Sequence, residues 1–176
     1  IRALAQAARV LGREDFAQLA SRAADFLLAT RWRDGRLSRS ARRGPAKIDG
    51  FLEDYGALAA GLVALYQATL HGRYLVAAAE LCEVAFRRFW DEARGAYLLA
   101  PPGSTGLPIA TYALYDHAVP SGASLLTSAQ VQLAALTGQP KHLVRAGRYL
   151  ARMGEPMVEN PFGFAELWLA ADAWLD

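Results

Sequence analysis

Cysteine is nearly missing from this chain: Cys82 stands alone among 176 residues. An internal disulfide is thereby excluded, and a reducing, cytoplasmic compartment is expected. Cys82 lies in a helical pattern and reads as a small buried hydrophobe. Also lacking is a run of about 18 uncharged apolar residues needing a bilayer around it. The nearest candidate, residues 55–70, is rich in Ala and Gly and suits helix-on-helix packing, so no membrane partner is expected. The sequence holds no G-x-x-x-x-G-K-[ST], no H-E-x-x-H, no paired C-x-x-C and no G-x-S-x-G. Phosphate-loop, zinc and hydrolase-elbow chemistry are therefore unsupported, and neither metal nor cofactor is expected. There is no signal peptide and no initiator Met; the chain opens at Ile1 inside a helical pattern and reads as part of a longer polypeptide.

Excess charge is scarce too. A formal net charge of +2 is too small to announce a nucleic-acid partner, although residues 31–47 carry seven basic side chains against Asp34 alone. No aromatic is interleaved from residue 33 to 47, which weakens nucleic-acid binding further. That loop reads either as a solvated surface or as a collector of phosphorylated or acidic ligands.

What is present is 53% hydrophobic and 20% charged residues, the composition of one globular domain spanning 1–176. Residues 51–70 and 121–137 are nearly free of charge, and a helix apolar on every side is one surrounded by protein. Between them lie two-faced segments. In residues 14–29, Phe16, Leu19, Ala20, Ala23, Phe26 and Leu27 form the expected dry stripe. Residues 74–90 and 140–152 repeat that character, and residues 161–175 form a last apolar helix in which Phe162, Phe164, Trp168 and Trp174 read as core. The joints VLGREDF, TLHGRYL and LTGQPKHL align, marking a repeat of helical hairpins. The fold expected is all-α, an α/α toroid with inner apolar helices alternating with outer amphipathic ones. A sheet is not expected, because no window alternates for long with period two. Inner-to-outer joints are short, whereas outer-to-inner connections (32–50, 91–120, 154–160) are long, so the long loops gather at one end with the inner-helix N-termini. That end is the expected working face.

Candidate site residues fall there. Glu53 and Asp54 open the central helix, either as a capped terminus, with Gly50 as N-cap and Glu53 at N3, or as carboxylates aimed into a site. Asp54 is the better aimed of the two. Asp116 and His117 adjoin Pro120 and Ser121, the latter a good N-cap, and are either a solvated turn or an acid and an imidazole delivered to the same end. Glycoside cleavage needs two carboxylates roughly 5–9.5 Å apart, and Asp54 with Asp116 is the pair the sequence offers. Phe51, Tyr55 and Tyr115 are aromatics that would line a sugar site or plug helix ends. Glu166, a lone acid in FAELWLAA, reads as a satisfied hydrogen-bonding group.

GFLEDYG, LVALYQAT, FWDEARGAYL and YDHAVPSGAS, in that order, resemble the C-terminal region of the thioredoxin-domain-containing family that includes the spermatogenesis-associated proteins and their bacterial relatives. The resemblance covers nearly the whole chain. It implies the C-terminal half of an (α/α)6 barrel, similar to N-acylglucosamine 2-epimerases and six-hairpin glycosidases. The first barrel half and a thioredoxin-like domain would lie elsewhere in the same polypeptide. It further implies a carbohydrate-active fold without specifying a reaction; joined to the residues read above, the expectation is acid/base chemistry on a sugar, of the isomerase or glycoside hydrolase type, with Asp54, Asp116 and His117 catalytic. Phe51, Glu53, Tyr55, Tyr115 and Ser121 would bind substrate. The rival function is a non-catalytic scaffold that binds a ligand or docks a protein. Where the family pattern reads DGAxPSxNS, this chain has His117 in place of the glycine and Ala123 in place of the asparagine.

Overall fold

The computed structural model describes residues 1–40, 48–103, 110–112 and 114–176. Arg42, Arg43 and Lys47 of the basic loop lie outside the described residues. The helices are α1 (Arg2–Leu11), α2 (Glu14–Arg31), α3 (Leu52–Thr69), α4 (Gly72–Phe89), α5 (Gly122–Thr137), α6 (Pro140–Glu159) and α7 (Ala165–Leu175), the last preceded by a 3-10 turn at Pro161–Phe164. The fold is all-α. Helices α1, α3, α5 and α7 pack against one another in chain order, and α2, α4 and α6 each bridge two of them from outside.

The uncharged sequences explain the inner layer. Helix α3 is buried on all sides from Leu58 to Leu65, and α5 from Gly122 to Val131. Outer helices bury one face, as Tyr74, Ala78, Leu81, Cys82 and Ala85 do on α4. Cys82 is fully buried, and burial pushes its thiol up to about 12. The aligned joints all end an inner helix in the left-handed region, at Gly12 (φ 64°), Leu70 (φ 56°) and Gly138 (φ 66°).

Four expectations are corrected. Small sheets exist: β1 (Trp32–Arg33), β2 (Arg36–Ser40) and β3 (Ile48–Asp49) form one antiparallel set, and β4 (Trp90–Asp91) pairs with β5 (Ala96–Tyr97). Strands this short show no period, but Asp34 (φ 50°) and Gly35 (φ 68°) supply the paired positive φ of a tight hairpin. On α2 the dry face is Ala17, Ala20 and Ala24, whereas Leu19 and Phe26 are 45% and 58% exposed. Small residues let α2 approach α1 and α3 closely, which turns the larger side chains outward. Helix α6 runs to Glu159, through Pro156, because Met153 and Met157 stay buried on one face, so no long connection follows Gly154. Of the four aromatics on the last segment only Phe164 is core; Phe162, Trp168 and Trp174 are 94%, 41% and 39% exposed. Helix α7 meets α5 and α6, which leaves its other flank open.

Candidate functional site

Three inner-helix starts meet at one end. A Cβ on Gly56 would lie 2.4 Å from the Gly122 carbonyl oxygen, and one on Gly122 would lie 2.5 Å from the Glu53 nitrogen. Backbone therefore touches backbone where α3 and α5 begin, a contact only glycine permits. The second long loop joins them, since the Leu52 N–H donates to the Leu99 carbonyl at 2.9 Å.

At the start of α3 the cap is shifted one residue from expectation. Phe51, not Gly50, is the N-cap, and Asp54, not Glu53, stands at N3, its Oδ2 accepting the Phe51 N–H at 2.8 Å. Gly50 belongs to the hairpin instead, donating its N–H to the Leu37 carbonyl at 2.7 Å. Arg39 of β2 reaches both acids, with Nη1 2.5 Å from Glu53 Oε1 and 3.2 Å from Asp54 Oδ2. Its guanidinium lies 4.8 Å above the Phe51 ring. Burial raises the Asp54 carboxyl above its ordinary value, while the Phe51 N–H and Arg39 act in the opposite sense.

At the start of α5, Ser121 is the expected cap, its Oγ accepting the Ser124 N–H at 3.1 Å. Asp116 lies at the same end but faces backbone. Its Oδ1 accepts the Ser121 N–H and its Oδ2 the Glu166 N–H, each at 2.8 Å, and the residue is 8% exposed. Both carboxylate oxygens thus tie the starts of α5 and α7 together. Asp54 and Asp116 stand at the same end, as expected of the pair, but the hydrogen bonds of Asp116 run to backbone at both oxygens. Glu166 is ion-paired, its Oε1 2.8 Å from Arg2 Nη2, but that oxygen accepts no hydrogen bond of good geometry, so the expected hydrogen-bonded acid is only charge-compensated.

An open cavity of about 1190 Å³ spans this end. Arg39, Glu53 and Asp54 line it from β2 and α3; Tyr115, His117 and Ser121 line it from the loop entering α5. Leu58, Leu99 and Leu125 supply apolar wall, and Arg2 and Leu27 the side toward α1 and α2. Tyr115 is 48% exposed, with its ring 5.2 Å from that of Phe164, and His117 is exposed. Three expected site residues do not line the cavity: Phe51, Tyr55 and Asp116. Phe51 is occupied as the platform for Arg39. Tyr55 is fully buried, its hydroxyl accepting the Leu37 N–H at 2.9 Å and Arg88 Nη1 at 3.1 Å. It is a bolt between hairpin and core rather than a ligand contact, since a helix buried all round leaves its N4 side chain nowhere else to go. Arg39 and Arg2 went unnoticed in the sequence: one sits in a basic run read as a single patch, the other at the first turn of α1. Among the described residues no cluster of three or more His, Cys, Asp or Glu could hold a metal ion. No helix among them is long and apolar enough to cross a membrane.

No protein-family model matches the chain. It is 29% identical over 175 residues to human spermatogenesis-associated protein 20, covering 93% of this chain and 22% of that protein. Its likeness to the rat protein of the same name is also 29%, over 180 residues, covering 96% of this chain and 23% of that protein. The chain thus spans less than a quarter of the length of these curated relatives, and nearly all of it is similar to one region of them.

Proposed function

We propose that this chain is the C-terminal half of an (α/α)6 toroid and that its long-loop end binds a carbohydrate for proton-transfer chemistry. The observation that carries the reading is one cavity bringing together Glu53, Asp54, His117 and Ser121 from two inner-helix starts. Long loops on a rigid helical base are the usual position for such sites. With Asp116 engaged by backbone, the adjacent acids Glu53 and Asp54 cannot flank a glycosidic bond from opposite sides. An isomerase-type reaction therefore fits better than hydrolysis, with Asp54 and His117 as acid and base. Asp54 suits an acid role because burial favours its protonated form. Ser121 and Glu53 would meet sugar hydroxyls, and Tyr115 the apolar face of a ring.

The similarity to one region of much longer relatives supports a working partner in the same polypeptide. That partner would include the first barrel half and a thioredoxin-like domain. A lone buried cysteine supports a cytoplasmic setting. A second reading, a non-catalytic binding or docking scaffold, is favoured by the ion pairing of both site acids to Arg39.

The test is NMR titration with N-acetylglucosamine, N-acetylmannosamine and cellobiose. Shifts confined to Glu53, Asp54, Tyr115, His117 and Ser121, followed by interconversion of the two acetylated sugars in the full polypeptide, are expected. Saturable shifts without turnover would favour the scaffold, and no shift at these residues would overturn the carbohydrate reading.

A further inference from the structure

We propose that Arg39 is the positioning residue of this site, carried out of strand register by a β-bulge so that one guanidinium holds Glu53 and Asp54 at the cavity rim. The proposal rests on the functional reading above only in naming the site; its test needs no ligand. Pairing between β2 and β3 runs Ser38 with Asp49 and Ser40 with Ile48, so Arg39 is the extra residue between them. A bulge bends its strand and re-aims the side chain at the insertion. Leu37, two residues before Arg39, is 3% exposed and bonded to Tyr55 of α3. The guanidinium therefore starts from backbone fixed two residues away.

Its anchors lie on both strands. The Leu37 carbonyl accepts the Gly50 N–H at 2.7 Å, and Asp49 pairs with Arg88 of α4 at 2.9 Å. The Phe51 ring beneath the guanidinium restricts its rotamers further. Consecutive helix positions such as Glu53 and Asp54 diverge by about 100° around the axis, so they have no reason to converge without a shared cation. Here one nitrogen, Nη1, serves both. The other charged or titratable side chains on the cavity wall are Arg2 of α1, Arg31 of α2, Tyr112, and Tyr115 and His117 of the loop entering α5. Arg2 is paired with Glu166, and Arg39 contacts both Glu53 and Asp54.

The experiment is carboxyl-carbon NMR titration of Glu53 and Asp54 in the whole chain and in three variants. Arg39→Gln is expected to raise the Asp54 midpoint by about one pH unit, the low end for a carboxylate losing an adjacent arginine. Arg39→Lys should return at least about half of that shift, because an ammonium keeps the charge but not the planar group that lies over the Phe51 ring. Glu53→Gln, which removes a like charge and leaves Arg39 to Asp54 alone, should move the midpoint down. A lowered melting temperature with unmoved midpoints would make Arg39 a strut between hairpin and helix and overturn the proposal. So would a failure of Lys to restore, or an upward shift with Glu53→Gln. Failure here would leave the sugar titration standing, and failure there would leave this result standing.

Discussion

Replacing Asp116 separates a structural acid from a catalytic one. Its two oxygens each accept a backbone N–H at 2.8 Å, one from the start of α5 and one from α7, in an environment that leaves it 8% exposed. Hydrogen bonds to a charged partner contribute about 1.5–3 kcal/mol each. Asp116→Ala removes both acceptors and leaves two helix-terminal donors without partners, so a loss of about 3–5 kcal/mol is expected. Asp116→Asn keeps one carbonyl oxygen and turns an amide donor toward the other N–H, so about half of that loss is expected. In a chain of this size each kcal/mol corresponds to roughly 2–4 °C, which makes the alanine variant about 6–20 °C less stable. Urea and thermal unfolding followed by circular dichroism measure the loss. Hydrogen exchange at the Ser121 and Glu166 amides shows whether it originates at the two helix starts. A loss below about 1 kcal/mol for Asp116→Ala, with those amides still protected, would refute the clamp. Normal stability together with abolished turnover would return the residue to catalysis.

Other perturbations probe separate features. Leu70 is 75% exposed at φ 56°, where its aligned counterparts are glycines, so Leu70→Gly should stabilise the chain by about 0.5–1 kcal/mol in urea unfolding. Gly122→Ala would set a methyl against the Glu53 backbone at 2.5 Å, and a loss of at least about 1–3 kcal/mol with shifted Glu53 and Asp54 resonances is expected. His142 is fully buried, and burial chiefly, with Lys141 and Arg145 beside it, lowers its pKa. The unfolded chain then binds the proton more readily, so stability falls as pH drops below about 6.5. His142→Leu should flatten that slope in melting temperatures between about pH 5 and 6.5, and an unchanged slope would assign it to other groups. Glu83 is held down to about 2, first by its hydrogen bond from Arg145. Its contribution is present above the usual glutamate range and disappears as pH falls toward about 2, so Glu83→Gln should weaken the chain at pH 7 more than at pH 2.

Helix existence and layering were legible because burial writes itself into composition: nothing charged lies on α3 beyond Asp54, and nothing charged lies on α5. Faces were harder to read. Leu19 and Phe26 share a stripe with Ala20, and hydrophobicity alone favoured the larger pair over Ala17, Ala20 and Ala24, the alanines that are buried. The site was legible as an end of the molecule and as a set of residues, but not as an arrangement. Asp54 caps its own helix through Phe51, a one-residue shift invisible in a string offering Gly50 as an equally good cap. The role of Asp116 depends on Glu166, fifty residues away, and an acid beside a histidine looks the same whether its oxygens meet ligand or backbone. Arg39 escaped notice because a bulge is a fact of pairing, and pairing leaves little trace in strands of two and five residues.

The glycine contact between α3 and α5 also limits how the cavity can change shape. Two rods fused at the backbone have no hinge between them, so the wall bearing Glu53 and the wall bearing Ser121 move as one jaw. Any widening must come from the opposing jaw, made by Leu27 of α2 and the first turn of α1, or from the tongue of chain that carries Arg39. Engineering the cavity for a bulkier guest should therefore begin at Leu27, where trimming a side chain creates room without parting the fused rods.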